Sequence, residues 1–194
     1  MLVTLVLMGC AGGKVTSEEE AELAYLGLDR ALSRALELGL LGFSQADSAN
    51  LDPQTADGDV SGTMTVTGKA DQGSSDNKGL RLDVALDDYA DVEDLDDDEE
   101  DEVAITYDTD PDDLPYADLQ LRDMPDGTLS GTFSGTFRME GDLEGDVELD
   151  LTVEGPTEAD PDYDNGVRRV EGETEIEGTA TNEDGGVFEV DVTR

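Results

Sequence analysis

The chain has no histidine, no tryptophan and a single cysteine, and only 11 of its 194 residues are basic against 51 acidic, a formal net charge of −40. Each shortage removes a class of function. Without histidine the commonest general base near neutral pH is missing. One thiol permits neither a disulfide framework nor a thiolate metal site. So few cations provide no basic patch to meet phosphate, which excludes nucleic acid as a partner. Four Phe and five Tyr offer few stacking platforms for a sugar, and among so many carboxylates the closeness of any two says nothing about glycosidase chemistry. No phosphate-cradling loop leads into a helix. The chain therefore reads as a non-enzyme.

The acidity has two physical readings. In one, the surface suits a saline medium, because self-repulsion is screened as the Debye length shrinks to ~3 Å near 1 M salt. Few lysines (Lys14, Lys69, Lys78) and abundant aspartate agree with it. In the other, carboxylate clusters collect divalent cations. The best-shaped candidate is Asp160-Pro-Asp162-Tyr-Asp164-Asn-Gly, with Glu171 at the twelfth position of a calcium loop whose ligands fall at positions 1, 3, 5 and 12. Asn165 stands where such a loop turns on Gly, and the flanks read as strands, so a plain hairpin loop is the competing reading. Asp108-Thr-Asp110-Pro-Asp112 is a second oxygen-rich loop. Ca²⁺ is the one ion these loops suggest, and no other cofactor is expected.

Ser17-Glu-Glu-Glu20 carries the signature of a capping box. Ala21, Ala24, Tyr25, Leu28, Ala31, Leu32, Ala35 and Leu36 then recur at three- and four-residue spacing, which predicts one amphipathic helix over 17–43. Residues 44–59 read as a polar, turn-rich connection. Beyond them the period falls to two, as in Leu80, Leu82, Val84, Leu86 and in Leu143, Val147, Leu149, Leu151, Val153. Such alternation puts one face on a core and one in water. A row of outward Glu and Asp excludes a lipid-facing barrel, whose outward residues are apolar.

The expected fold is thus mainly β with one N-terminal α-helix (α+β): a curved antiparallel meander of about eight strands, half-barrel or barrel, packed on the helix. The β domain spans 59–194, and 17–194 form one globular unit. Gly62, Gly131, Gly135, Gly145, Gly172 and Gly178 fall on the core side. They predict strong curvature, leaving space either for the helix or for an apolar ligand. The block DVEDLDDDEEDE (91–102) reads as a solvated acidic loop.

The chain opens MLVTLVLMGCAGGK. Leu2–Met8 is far shorter than the ~20 residues of a membrane-spanning helix. Taken alone it is a short buried strand ending in a core cysteine, or the apolar part of a secretory signal. Leu7-Met8-Gly9-Cys10 resembles the lipobox of bacterial lipoproteins. The resemblance implies that residues 1–9 are removed, that the Cys10 thiolate takes a diacyl lipid, and that 10–16 form a flexible tether. Ala11, rather than Asp, after the cysteine implies the bacterial outer membrane. The membrane, reached through the lipid, is then the one partner implied. The functional expectation is a lipid-anchored cell-envelope protein acting as a non-catalytic structural or binding module. The alternatives are a carrier of an apolar ligand in the concave face and a calcium-responsive envelope protein.

Overall fold

A computed structural model describes residues 13–45, 49–71, 76–91, 93–94, 102–161 and 166–194. Two helices come first, α1 (Glu18–Leu26) and α2 (Asp29–Gln45). Ser17 caps α1 as the sequence predicts, its Oγ accepting from Glu20 N–H at 3.2 Å. The Glu20 carboxylate reaches back to accept from Thr16, from N–H and from Oγ1, each at 2.7 Å.

The helix expected over 17–43 is present as a bent helix, with its bend at Gly27 between α1 and α2. There Leu28 N–H bonds to Tyr25 O at 2.7 Å, so the Ala24 carbonyl loses its helical donor. The Tyr107 hydroxyl replaces it, donating to Ala24 O at 2.9 Å. A Cβ on residue 27 would overlap that hydroxyl. Gly27 is therefore the opening through which a sheet side chain enters the helix and satisfies a buried carbonyl.

Twelve strands follow: β1 (Asn50–Asp57), β2 (Ser61–Ala70), β3 (Lys78–Ala90), β4 (Glu93–Asp94), β5 (Glu102–Val103) and β6 (Ile105–Asp108). Then come β7 (Tyr116–Arg122), β8 (Thr128–Gly141), β9 (Gly145–Ala159), β10 (Val167–Arg169), β11 (Glu175–Asn182) and β12 (Val187–Thr193). The sheet is an antiparallel meander ordered β1-β2-β3-β6-β8-β9-β11-β12, with β7 also lying between β3 and β8. β6 and β7 are two halves of one lane. Thr109 N–H bonds to Leu86 O at 3.2 Å and Val84 N–H to Pro115 O at 2.9 Å, so the ladder continues across the gap while 110–114 loop out. The small pair β4–β5 closes the ends of the acidic block.

β1 lies inside the stretch that reads as a connection. Pro53 lacks an N–H and is tolerated because β1 is an edge, with a bulge between Leu51 and Gln54. The alternation elsewhere holds. Leu149, Leu151 and Val153 are buried, whereas Glu148, Asp150 and Thr152 are exposed. One core-side expectation fails: Gly172 lies in an exposed turn with φ +74°. Val60 sits in a bend with 61% exposure.

One hydrophobic core fills the concave side. Leu28, Leu32 and Leu36 of the helical segment meet Leu80, Leu82, Phe133 and Phe137 of the sheet. Tyr107 stands edge-on to Phe137, ring centroids 6.4 Å apart. At Gly131 and Gly178 the neighbouring strand leaves no room for a side chain. A Cβ at Gly131 or Gly178 would strike the carbonyl oxygen of Asp118 or Asp150 on the neighbouring strand. They allow strand backbones to close up as the sheet coils. Close approach of the helix instead depends on its own Gly39, where a Cβ would press on Leu82 at 2.9 Å.

Among the described residues one buried side-chain polar atom, Thr174 Oγ1, has no hydrogen-bond partner. Thr174→Val exchanges that hydroxyl for a methyl of similar size and should stabilise the fold by about 1–2 kcal/mol, read as a higher urea midpoint with an unchanged m-value.

Candidate functional site: the N-terminal seam and the arginine clamp

The segment 10–16 reads as a free tether, yet from Gly13 onward it is built into the fold. Glu144 N–H donates to Gly13 O at 2.9 Å, and Gly13 N–H points to Asp142 O at 3.4 Å. Val15 is buried, and its carbonyl accepts from Asn182 Nδ2 at 2.7 Å. Lys14 pairs with Glu183 and, at 3.2 Å, with Asp184. These carboxylates raise its pKa above the ordinary lysine value. Lys14 is well exposed, so the pairs fix direction more than they stabilise. Cys10 itself lies outside the described residues.

The register places this seam at one pole of the sheet. Ile105 pairs with Gly141, Gly145 with Met139, Asn182 with Val147, and Ser61 with Ala90. The β1–β2, β8–β9 and β11–β12 turns therefore share one end, together with the departure of the acidic block after Ala90 and its return at Ala104. Asp142 ties that return to the seam. Its N–H donates to Ala104 O and its Oδ2 accepts from Ala104 N–H, both at 2.9 Å. The β2–β3 and β7–β8 turns lie at the opposite pole.

The start of α2 is gripped from two sides. On one, Arg169 of β10 makes a bidentate pair with Asp29, Nη1 to Oδ1 at 3.0 Å and Nη2 to Oδ2 at 2.8 Å. Nε and Nη2 also donate to Ser33 Oγ at 3.0 and 2.7 Å, and Nη2 to Asp29 O at 3.1 Å. The Tyr25 hydroxyl donates to Asp29 Oδ1 at 2.5 Å. The ionic side chains are only 8% and 12% exposed, and charges so buried persist because the donors and acceptors around them are matched. Burial lowers the Arg169 pKa, but the charge and hydrogen bonding of Asp29 together with the Tyr25 hydroxyl outweigh it, and the net shift is upward. Burial first, then the Asp29 charge, pushes the Tyr25 hydroxyl well above the usual tyrosine value.

On the other side, Arg30 and Arg34 pair with Asp59 at 3.0 and 3.3 Å, and Arg34 Nη1 donates to Asp57 O at 2.6 Å. Beneath them Asp91 Oδ1 accepts from Asp59 N–H at 2.9 Å, and Asp91 Oδ2 accepts from the Tyr89 hydroxyl at 2.5 Å. The first residue of the acidic block is thus a buried structural acceptor. Burial and this bond raise the Tyr89 pKa.

Of the first candidate calcium loop the structure describes Asp160 and Glu171. Asp160 is buried, and its N–H donates to Gly166 O at 3.0 Å; Asp162 and Asp164 lie outside the described residues. β10 pairs back along β9, Val167 with Ala159 and Arg169 with Thr157. Glu171 lies beyond the end of β10, in an exposed turn beside the Arg169 cleft. In the other loop, Asp108 Oδ1 accepts from Asp88 N–H and Asp110 Oδ1 from Asp112 N–H, each at 2.9 Å. Asp112 itself is exposed. Those two carboxylates hold the turn, with Asp113 N–H closing on Asp110 O at 3.1 Å. Among the described residues no three acidic side chains are arranged to hold a metal ion.

Two open clefts flank these elements. One of about 500 Å³ is lined by Asp29, Ser33, Arg169, Glu171 and Thr193. The other, about 390 Å³, is lined by Asp108, Asp110, Thr136, Arg138 and Asp146. Among the described residues no helix is long and apolar enough to cross a membrane. No protein-family model, curated protein or solved structure matches the chain.

Asp29→Ala leaves the Arg169 guanidinium buried and unpaired and should cost about 3–5 kcal/mol. The double variant Asp29→Leu/Arg169→Met should cost markedly less than the sum of the two single changes, as a double-mutant cycle in urea would measure. Tyr25 and Tyr89 hold their protons more tightly in the fold than in the unfolded chain. Their contribution is complete below about pH 10 and is lost as pH rises towards the folded-state values. Urea midpoints should therefore fall above about pH 10, and Tyr25→Phe or Tyr89→Phe should flatten that fall.

Proposed function

We propose that the protein is a lipid-anchored component of the bacterial cell envelope, of outer-membrane type, in which residues 13–194 form a non-catalytic structural or binding module. The observation that carries this reading is the run Leu7-Met8-Gly9-Cys10, three residues ahead of the point where the chain joins the folded body at Gly13. A nucleophilic thiol suits lipid transfer to sulfur, and no other residue of this chain offers one.

The module reading is supported by how the concave face is used. Leu28, Leu32 and Leu36 occupy it, and Gly131 and Gly178 abut the backbones of neighbouring strands. Both features weigh against the carrier of an apolar ligand. Interaction surfaces then lie on the outside, where the clefts are open and polar-lined.

Mass spectrometry of the protein recovered from membranes of a bacterial host tests the reading. The expected mature chain begins at Cys10 and carries the mass of a diacyl thioether with an acylated amine, and Cys10→Ser should release the protein from the membrane fraction. A chain that keeps residues 1–9 and an unmodified thiol would refute it.

A further inference from the structure

The position of the seam bears on how an anchored molecule is oriented, and the following rests on the lipidation of Cys10 set out above. Two residues, Ala11 and Gly12, separate Cys10 from Gly13, and the three steps between them reach about 10 Å when fully extended. From Gly13 the chain has no further slack. Its carbonyl is bonded to Glu144, Lys14 is paired across to Glu183 and Asp184, and Val15 is buried and bonded to Asn182. The body itself is much longer than this reach, since the 14 residues of β8 alone extend on the order of 40 Å.

We propose that the pole bearing the β8–β9 and β11–β12 turns is held against the lipid surface, with the β2–β3 and β7–β8 turns directed away from it. The orientation is set by the tether in opposition to the charge. Asp142, Glu144, Glu183 and Asp184 surround the exit, with Lys14 as the cation set among them. Anionic headgroups would repel this pole over a Debye length of about 8–10 Å, which is comparable to the tether's reach. Three buried acyl chains, each contributing about 0.8 kcal/mol per methylene, outweigh that repulsion, so the acidic pole is pinned at the surface with cations drawn into the gap. The cleft beside Arg169 then stays on the body above the membrane, open to solvent.

The absence of tryptophan and the single cysteine make the test direct. The full chain is coupled through Cys10 to a maleimide lipid in phosphatidylcholine vesicles containing dansyl-lipid acceptor. Glu144→Trp, or Glu140→Trp as a second reporter of the same pole, is compared with Asp126→Trp at the far turn. All three positions are exposed. Energy transfer to the acceptor should be several-fold stronger from position 144 or 140 than from 126. A twenty-residue Gly-Ser spacer inserted after Ala11 should remove most of the difference. Equal transfer from both poles, stronger transfer from 126, or a difference unchanged by the spacer would each overturn the proposal. Because the coupling is chemical, the result does not depend on whether a cell acylates Cys10; mass spectrometry of the native N-terminus decides that separately.

Discussion

The sheet has two edges, β1 and β12, that do not pair with each other, and the helical segment laid across the concave side stands in for the missing closure. Its position depends on the double grip at the start of α2. Arg169 draws Asp29 towards the β9–β10 hairpin, while Arg30 and Arg34 draw the next turn towards the β1–β2 turn. Two neighbouring residues of one helix thus connect distant parts of the meander. The buried half of the grip is demanding, since a guanidinium out of water needs several of its donors engaged at once. Asp29, its carbonyl and Ser33 supply that set.

This economy of arginine stands out against the outer face. Glu154 lies directly across from Glu175, and Glu177 directly across from Asp191. Like charges directly opposite on neighbouring strands are destabilising, and counter-ions lessen the penalty. The chain thus tolerates repulsion on the solvent side, where screening operates, and places arginines at the join between helix and sheet. The ledger of 51 acids to 11 bases is therefore not spread evenly. Arg169 sits where water is scarce, whereas Arg81, Arg138 and Arg168 pair with carboxylates on the exposed face.

Most of the meander was legible, because period-two alternation reports a half-buried strand directly. What escaped was whatever depended on a partner distant in sequence. β1 is an edge strand with a proline and a bulge, so its pattern is too irregular to separate from a turn. The bend at Gly27 makes sense only beside Tyr107, whose hydroxyl reaches Ala24 across 83 residues. Asp29 reads as an ordinary first-turn acid until Arg169 arrives from 140 residues away. Asp91 looked like the edge of a solvated run and is an acceptor for Tyr89 and Asp59. Cys10 was readable as a motif, whereas the fixing of the chain from Gly13 onward was not, since nothing in Gly-Lys-Val-Thr signals its partners Glu144 and Asn182.

The lane shared by β6 and β7 leaves 110–114 outside the ladder, while Thr109 and Pro115 keep their bonds to β3 on either side. Strand register is therefore indifferent to what those five residues are or how many there are. In engineering terms the fold carries a socket in mid-sheet. A peptide epitope or recognition loop grafted there would be displayed between two fixed posts, with the frame around it already set.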